Sequence, residues 1–440
     1  MERIVPIVGL LVMIFIAWAL SSHKNRFPWR VVIGGILLQI AFALLVLWDP
    51  SNGAGWLEVK IGRSIWIPTG KTLFEFIGAG FTNLLDCVDQ GASFVFGGNL
   101  VNTERGPTPA FKVSFVAFKV LPTIIFFSSL MSILYYIGFM QIVVGMISKL
   151  MQRTLGTSGA ETLSAAGNIF VGQTEAPLLI KPYLNRMTDS EIMAVMVGGF
   201  ATIAGGVMAA YVGMGIDPVH LLSASLMSAP AALVIAKVLQ PEVDVPETLG
   251  KVEATPPMEA TNVIDAAARG ASDGLHLALN VGAMLIAFLA LIYMLDMMLG
   301  STTNWIATQF FDNPTFRITF TQIMGYVSAP FAFLMGIESK DCFVAGEILG
   351  TRIVGNEFIA YAQMNPTTNL GFASCSPRTK TILTYALCGF ANIGSIGIQI
   401  GGLGPLAPDR RKSLVRLGLR AMIGGLLACY MTACLAAAFI

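Results

Sequence analysis

Charge is scarce in this chain. Asp, Glu, Lys and Arg make up 12% of its 440 residues, where soluble domains carry roughly a quarter, so an ordinary water-soluble fold is excluded. Neither sign prevails: the net charge is +1 and the basic residues are scattered or sit in loops. No field is left to hold nucleic acid, and no nucleic-acid partner is expected. The three histidines His23, His220 and His276 stand alone, and the six cysteines Cys87, Cys342, Cys375, Cys388, Cys429 and Cys434 have no paired spacing. Metal frameworks and disulfide frameworks both lack support. An enzyme would need a nucleophile, base or acidic metal motif at a suitable spacing, and a channel a repeated filter or charged ring. Neither pattern is present, so no catalytic residue and no organic cofactor is expected.

What fills the chain is apolar: 55% hydrophobic residues, 45 glycines, 22 methionines and a mean hydropathy of +0.71. These values predict an all-α integral membrane protein. A helical span needs about 20 apolar residues. Suitable runs lie at roughly 4–21, 30–48, 113–140, 191–214, 219–239, 275–299, 379–404 and 413–440, with a weaker one near 317–336. About eight transmembrane helices are therefore expected. Ala17-Trp18-Ala19 imitates a signal-peptide cleavage site, yet Lys24, Arg26 and Arg30 follow the first run instead of preceding it, which favours a retained helix. Those residues, with Lys149, Arg153, Lys181 and Arg186 and then Arg410, Arg411, Lys412 and Arg416, form basic clusters expected on the cytoplasmic side. Both termini then lie outside, provided the runs holding Gln173 and Glu357 enter and return. Residues 50–110 are mixed and Gly-rich around Asp86 and Asp89, which suggests an interfacial helix. Pro241 to Asp273 is acidic, proline-bearing and poor in aromatics, and reads as a cytoplasmic connector.

Two stretches break the apolar pattern. Residues 167–180, Gly-Asn-Ile-Phe-Val-Gly-Gln-Thr-Glu-Ala-Pro-Leu-Leu-Ile, put an amide, a hydroxyl and a carboxylate side by side, and Val354-Gly355-Asn356-Glu357-Phe358 has the same character. An ionised side chain at mid-bilayer costs roughly 2.5–3.5 kcal/mol on insertion scales. Helix-to-helix polar bonds return under about 1 kcal/mol each in measured cases, too little to hold Glu175 and Glu357 at that depth for structure alone. The stretches are related: Val171-Gly172-Gln173-Thr174-Glu175 matches Val354-Gly355-Asn356-Glu357, and Gly199-Phe200-Ala201-Thr202-Ile203-Ala204 matches Gly389-Phe390-Ala391-Asn392-Ile393-Gly394. Interrupted apolar segments at matching positions of an internal repeat point to a secondary transporter with its site where the breaks meet. Free backbone groups at a break need partners. A carbonyl end with an amide oxygen suits a small cation. Gln173 and Glu175 can pair with a heterocycle that alternates donors and acceptors, while Glu357, Asn392 and Ser395 suit vicinal hydroxyls.

Gly-Gln-Thr-Glu-Ala-Pro-Leu at 172–178, Asn-Glu-Phe-Ile-Ala-Tyr at 356–361 and Gly-Phe-Ala-Asn-Ile-Gly-Ser-Ile at 389–396 resemble the signatures of the concentrative nucleoside transporters, bacterial members in particular, over nearly the whole chain. The resemblance implies a sodium-coupled symporter that imports nucleosides such as uridine across the bacterial cytoplasmic (inner) membrane. It would be a multi-pass homotrimer in contact with lipid, working by an elevator-like movement. Gln173, Thr174 and Glu175 would face the nucleobase with Val207 lining its pocket. Glu357, Asn392 and Ser395 would face the ribose, with Phe390 beside them. Sodium would be held by the Asn168 side chain, the Val171 carbonyl, the Thr202 hydroxyl and the Ile203 carbonyl. The implied layout has N-terminal scaffold spans and interfacial helices over 1–150, and a first repeat of re-entrant hairpin plus two spans over 151–240. A linker over 241–273, a scaffold span with an interfacial helix over 274–336, and a second inverted repeat over 337–440 complete it. Two positions depart from the family pattern: Gly394, where Ser is frequent, and Arg352, where Lys is usual. Because Arg holds its proton, Arg352 is expected to make a fixed ion pair or carbonyl contact. Asn168 and the hydroxyl at Thr202 favour sodium. A proton-coupled nucleoside symporter, or a sodium-coupled carrier of another small polar metabolite, is the alternative.

Overall fold

The computed structural model of the chain describes residues 3–47, 70–97, 101, 116–249, 260–311, 317–365 and 369–440. Every element among them is helical. Helices α1 (Ile4–Ala19) and α2 (Trp29–Leu47) open the chain, and α3 (Gly70–Phe96) carries Asp86 and Asp89 where an interfacial helix was expected. The rest of the 50–110 stretch, Gly97 and Val101 apart, lies outside the described residues. A π-turn at Val116–Val120 leads into α4 (Leu121–Tyr136), and α5 (Phe139–Leu155) runs between the left-handed glycines Gly138 and Gly156.

The first hairpin begins with α6 (Gly159–Gly167), started by a capping box in which the Glu161 carboxylate accepts from Ser158 N at 2.7 Å. It turns at 168–175 and returns through a 3₁₀ turn, Ala176–Ile180, that Pro177 opens. Next come α7 (Asp189–Ala201), α8 (Gly205–Gly213) and α9 (Pro218–Leu239), the last capped by Asp217, whose carboxylate accepts from Val219 N at 2.7 Å. Lys237 on α9 donates to Glu161 at 2.7 Å and Glu242 at 3.0 Å, so a buried ion network fastens the base of the hairpin. Helix α10 (Val263–Phe311) is 49 residues long. It starts within the stretch that reads as a connector, because Gly270 and Gly274 let its backbone close on α4: a methyl group at Gly270 would lie 2.7 Å from Ser128 O, and one at Gly274 2.7 Å from Ile125 Cα. Residues 250–259 of that connector lie outside the described residues.

The second half repeats the order. After α11 (Phe320–Leu334), the second hairpin consists of α12 (Cys342–Val354) and α13 (Glu357–Gln363). The short α14 (Leu370–Ala373), then α15 (Pro377–Leu387), α16 (Ile393–Leu406) and α17 (Arg411–Phe439) follow. Six stretches among the described residues are long and apolar enough to cross a membrane, counting α7 and α8 as one; α1, α11 and α16 are shorter apolar helices. The most apolar part of the α7–α8 stretch is wholly buried and that of α17 is 83% buried, whereas only 6% of the corresponding part of α10 is covered. The repeats therefore form the core and α10 lies at the rim.

Two runs that read as continuous spans are broken. Residues 191–214 part at Thr202–Ala204, where Thr202 and Ala204 are extended, and residues 379–404 part at 388–392. Apolar composition passes smoothly over both breaks, so hydropathy alone does not register them. Other groups take over the lost helical bonds. Phe170 O accepts from Gly205 N at 3.0 Å, and Arg352, wholly buried, donates to Ala386 O at 2.5 Å and Gly389 O at 3.2 Å. Arg352 thus makes the fixed carbonyl contact expected of it.

Candidate functional site

Each hairpin tip meets one of the broken helices. At the first tip, Asn168 ends α6, is fully buried, and neither end of its amide has a hydrogen-bond partner among the described residues. The amide lies against the last turn of α7, since a methyl group at Gly198 would stand 3.1 Å from Asn168 Nδ2. In that same turn the Thr202 hydroxyl donates to Gly198 O at 2.9 Å, which leaves its lone pairs free. The backbone of the tip sits on the break itself: a methyl group at Gly172 would be 3.4 Å from Ala204 Cβ. Asn168, Val171, Thr202 and Ile203 therefore occupy one neighbourhood at a helix end, a donor set made wholly of oxygens that suits a hard cation.

The remaining tip residues diverge. Gln173, nearly buried at 7% exposure, accepts from Gln399 Nε2 on α16 at 3.1 Å. Thr174 packs on the same helix, where a methyl group at Gly402 would approach its Cγ2 to 2.8 Å. Glu175 turns back to accept from Gly172 N at 2.6 Å and lines a cavity of about 540 Å³ together with Tyr135, Arg269 and Asp273. Val207 is buried on α8.

At the second tip the polar groups are engaged with one another. Asn356 caps α13 by accepting from Ile359 N at 2.9 Å, and Asn392 caps α16 by accepting from Ser395 N at 2.9 Å. Glu357 is the hub: its Oε1 accepts from the Tyr211 hydroxyl at 3.1 Å and its Oε2 from Asn392 Nδ2 at 3.1 Å. Ser395 is buried one turn into α16, while Phe390 is half-buried in the break. Glu357, Asn392 and Ser395 are thus brought together, with Phe390 in the break beside them. The base residues split between the face of α16 and the cavity beside α4 and α10.

Tyr211 and Gln399 were not anticipated from the sequence. Each is a lone polar group in an apolar run, and each stands on a half-helix one turn beyond an expected site residue: Val207 to Tyr211, and Ser395 to Gln399. That four-residue spacing is the signal that identifies them. Together they exchange partners between the repeats, because the first tip bonds to α16 of the second and the second tip to α8 of the first.

Two interrupted hairpins, their polar tips docked on two broken helices inside an apolar helical body, define a secondary transporter. Models of the Na+ dependent nucleoside transporter N-terminus and C-terminus match residues 8–99 and 220–437, and a nucleoside recognition model, Gate, matches 117–217. Solute carrier family 28 member 3 of Eptatretus stoutii is 41% identical over 99% of this chain and 60% of its own length. An uncharacterized transporter of Haemophilus influenzae is 40% identical over 100% of this chain and 98% of its own. The solved structure of CNTnw in an inward-facing, substrate-bound state is 39% identical and superposes with a TM-score of 0.88 over 100% of this chain and 98% of that one. The chain belongs to the Na+-dependent, or concentrative, nucleoside transporter family. It spans about 60% of the length of its solute carrier family 28 relatives.

Proposed function

We propose that this chain is a sodium-coupled symporter that imports nucleosides, uridine and its relatives, across a bacterial cytoplasmic membrane, as a homotrimer bathed in lipid. Asn168 carries the reading: a wholly buried amide with both ends unpartnered is costly by about 1–3 kcal/mol per group, and here it lies beside the Thr202 hydroxyl at a helix end. The Asn168 amide oxygen, the Val171 and Ile203 carbonyls and the Thr202 hydroxyl replace the water around sodium. Gln173, Thr174 and Glu175 read the base beside Val207; Glu357, Asn392 and Ser395 take the ribose hydroxyls beside Phe390. With ion and solute on the same tips, binding of one orders the site of the other, and the loaded hairpins slide past the outer helices in an elevator-like step. One positive charge moving inward gains roughly 2.3 kcal/mol per 100 mV, enough to concentrate a neutral solute about 50-fold.

Uridine uptake into proteoliposomes under imposed gradients tests this. Uptake should follow an inward sodium gradient, carry current, and stay unchanged under a proton gradient. Accumulation driven by protons alone would transfer the assignment to the proton-coupled alternative. Sodium-driven uptake of a different polar metabolite, with uridine ignored, would remove the nucleoside.

A further inference from the structure

The amide of Gln399 has an unusual environment for a side chain buried to 1% exposure. Both of its hydrogens are used: Nε2 donates to the main-chain oxygen of Met196 at 3.0 Å and to Gln173 Oε1 at 3.1 Å. Its own Oε1 is buried without a partner. Leucine, close to it in volume, would fill the place without an orphaned acceptor, so packing does not account for the residue. Room for the pair is made by Gly199, where a methyl group would lie 2.5 Å from Gln399 Nε2 and 2.8 Å from Gln173 Cβ.

The chain of bonds has a direction. A main-chain carbonyl only accepts, so Met196 O determines which end of the Gln399 amide faces it. That end is the nitrogen, and the nitrogen in turn determines that Gln173 presents its oxygen to Gln399. Gln173 is left with its Nε2, a donor, for the solute. We propose that Gln399 is a positioning residue that locks the Gln173 amide with its nitrogen toward the nucleobase, so that the one position of the base facing it must be an acceptor: O4 of uridine where cytidine has an amino group, or N3 of cytidine where uridine has N–H. This rests on Gln173 reading the base. Without the lock, the Gln173 amide rotates by half a turn and accepts as readily as it donates.

The experiment compares uridine and cytidine affinities at saturating sodium in wild type, Gln399→Leu and Gln399→Glu. Wild type should prefer one of the two by roughly 10-fold or more, the usual scale when a buried polar group is left unmatched. Gln399→Leu should bring the two affinities within about 3-fold of each other, since either amide orientation is then open. Gln399→Glu should invert the wild-type order, because a carboxylate accepts from Gln173 Nε2 and turns the oxygen toward the base. Sodium activation should be unchanged in both variants, which a loss of packing would not produce. The same uridine-to-cytidine ratio in all three proteins overturns the proposal. Gln173→Ala is the control for the reading beneath it: unchanged affinity there removes Gln173 from the site, whereas collapsed affinity with unmoved ratios defeats only the role of Gln399.

Discussion

The two hairpin tips have nearly the same motif and opposite states of satisfaction. At the second tip every amide and carboxylate group of Asn356, Glu357 and Asn392 that caps or bridges does so within the protein, through Ile359 N, Tyr211, Ser395 N and one another. At the first, the Asn168 side-chain amide has no partner among the described residues, and the Glu175 carboxylate accepts from Gly172 N in its own turn. The paired helix breaks differ in the same sense. In the second repeat the loose carbonyls of Ala386 and Gly389 are held by a resident cation, the Arg352 guanidinium, while among the described residues no cationic side chain bonds to the turn around Gly198 and Thr202. One break is completed by a side chain of the protein, and on the proposed reading the other is completed by an ion from solution. A motif shared by two repeats therefore assigns position, and the partners within reach assign the role.

The comparison is broken most forcefully at its hub. Glu357→Ala strands the Tyr211 hydroxyl and the Asn392 amide together, and nucleoside affinity in detergent should fall more than about 100-fold, with a lowered melting temperature. A variant with wild-type affinity and melting temperature would show that the second tip is not a closed unit. Asn168→Ala should do the reverse. Sodium activation of uridine binding should shift by roughly 10- to 100-fold, while the melting temperature without sodium should hold or rise, because a buried group without partners is removed. A large loss of stability in sodium-free buffer would contradict an unpartnered Asn168.

Smaller changes sharpen the contrast. Gly198→Ala places a methyl group 3.1 Å from Asn168 Nδ2, so it should weaken sodium activation by about 5-fold through displacement of the amide and leave ribose discrimination alone. A sodium titration alongside uridine and 2′-deoxyuridine affinities reads both effects. Tyr211→Phe deletes one donor to Glu357 and should alter the preference for uridine over 2′-deyoxyuridine by about 3- to 10-fold, roughly 1 kcal/mol, with sodium activation intact. A shift confined to sodium would assign Tyr211 to the other tip.

The sequence made the tips legible because carboxylates and amides are expensive among apolar residues, so Gln173, Glu175, Asn356 and Glu357 stand out unaided. The sites of the helix breaks were not legible. Thr202–Ala204 and 388–392 are as apolar as the helices around them, and Gly389 lies where it does because a methyl group there would meet Phe200 O at 2.6 Å, a contact from another helix. The start of α10 is hidden in the sequence for a related reason. Prolines, acidic residues and few aromatics up to Asp273 suggest a connector in one dimension, and only the neighbouring α4 shows that Gly270 and Gly274 form a tight seam in three. Gln399 and Tyr211 are single polar residues in apolar runs, and only the turn-by-turn spacing from Ser395 and Val207 marks them in the sequence.

The long helix α10 has a mechanical consequence. At about 1.5 Å per residue its 49 residues form a rod of about 74 Å, more than twice the roughly 30 Å of a hydrocarbon layer. It is clamped at two places: near its start by the glycine seam on α4, and farther along where Asp296 accepts from Thr321 N at 3.1 Å and Thr303 from Ile318 N at 3.1 Å, at the entry to α11. About 40 Å of rigid strut separates the two clamps. Helix α11 in turn bears directly on the second hairpin, where Gly346 admits its backbone so closely that a methyl group would stand 2.4 Å from Gly325 O. The wall of the cavity beside the first tip and the footing of the second hairpin are thus joined by one continuous helix.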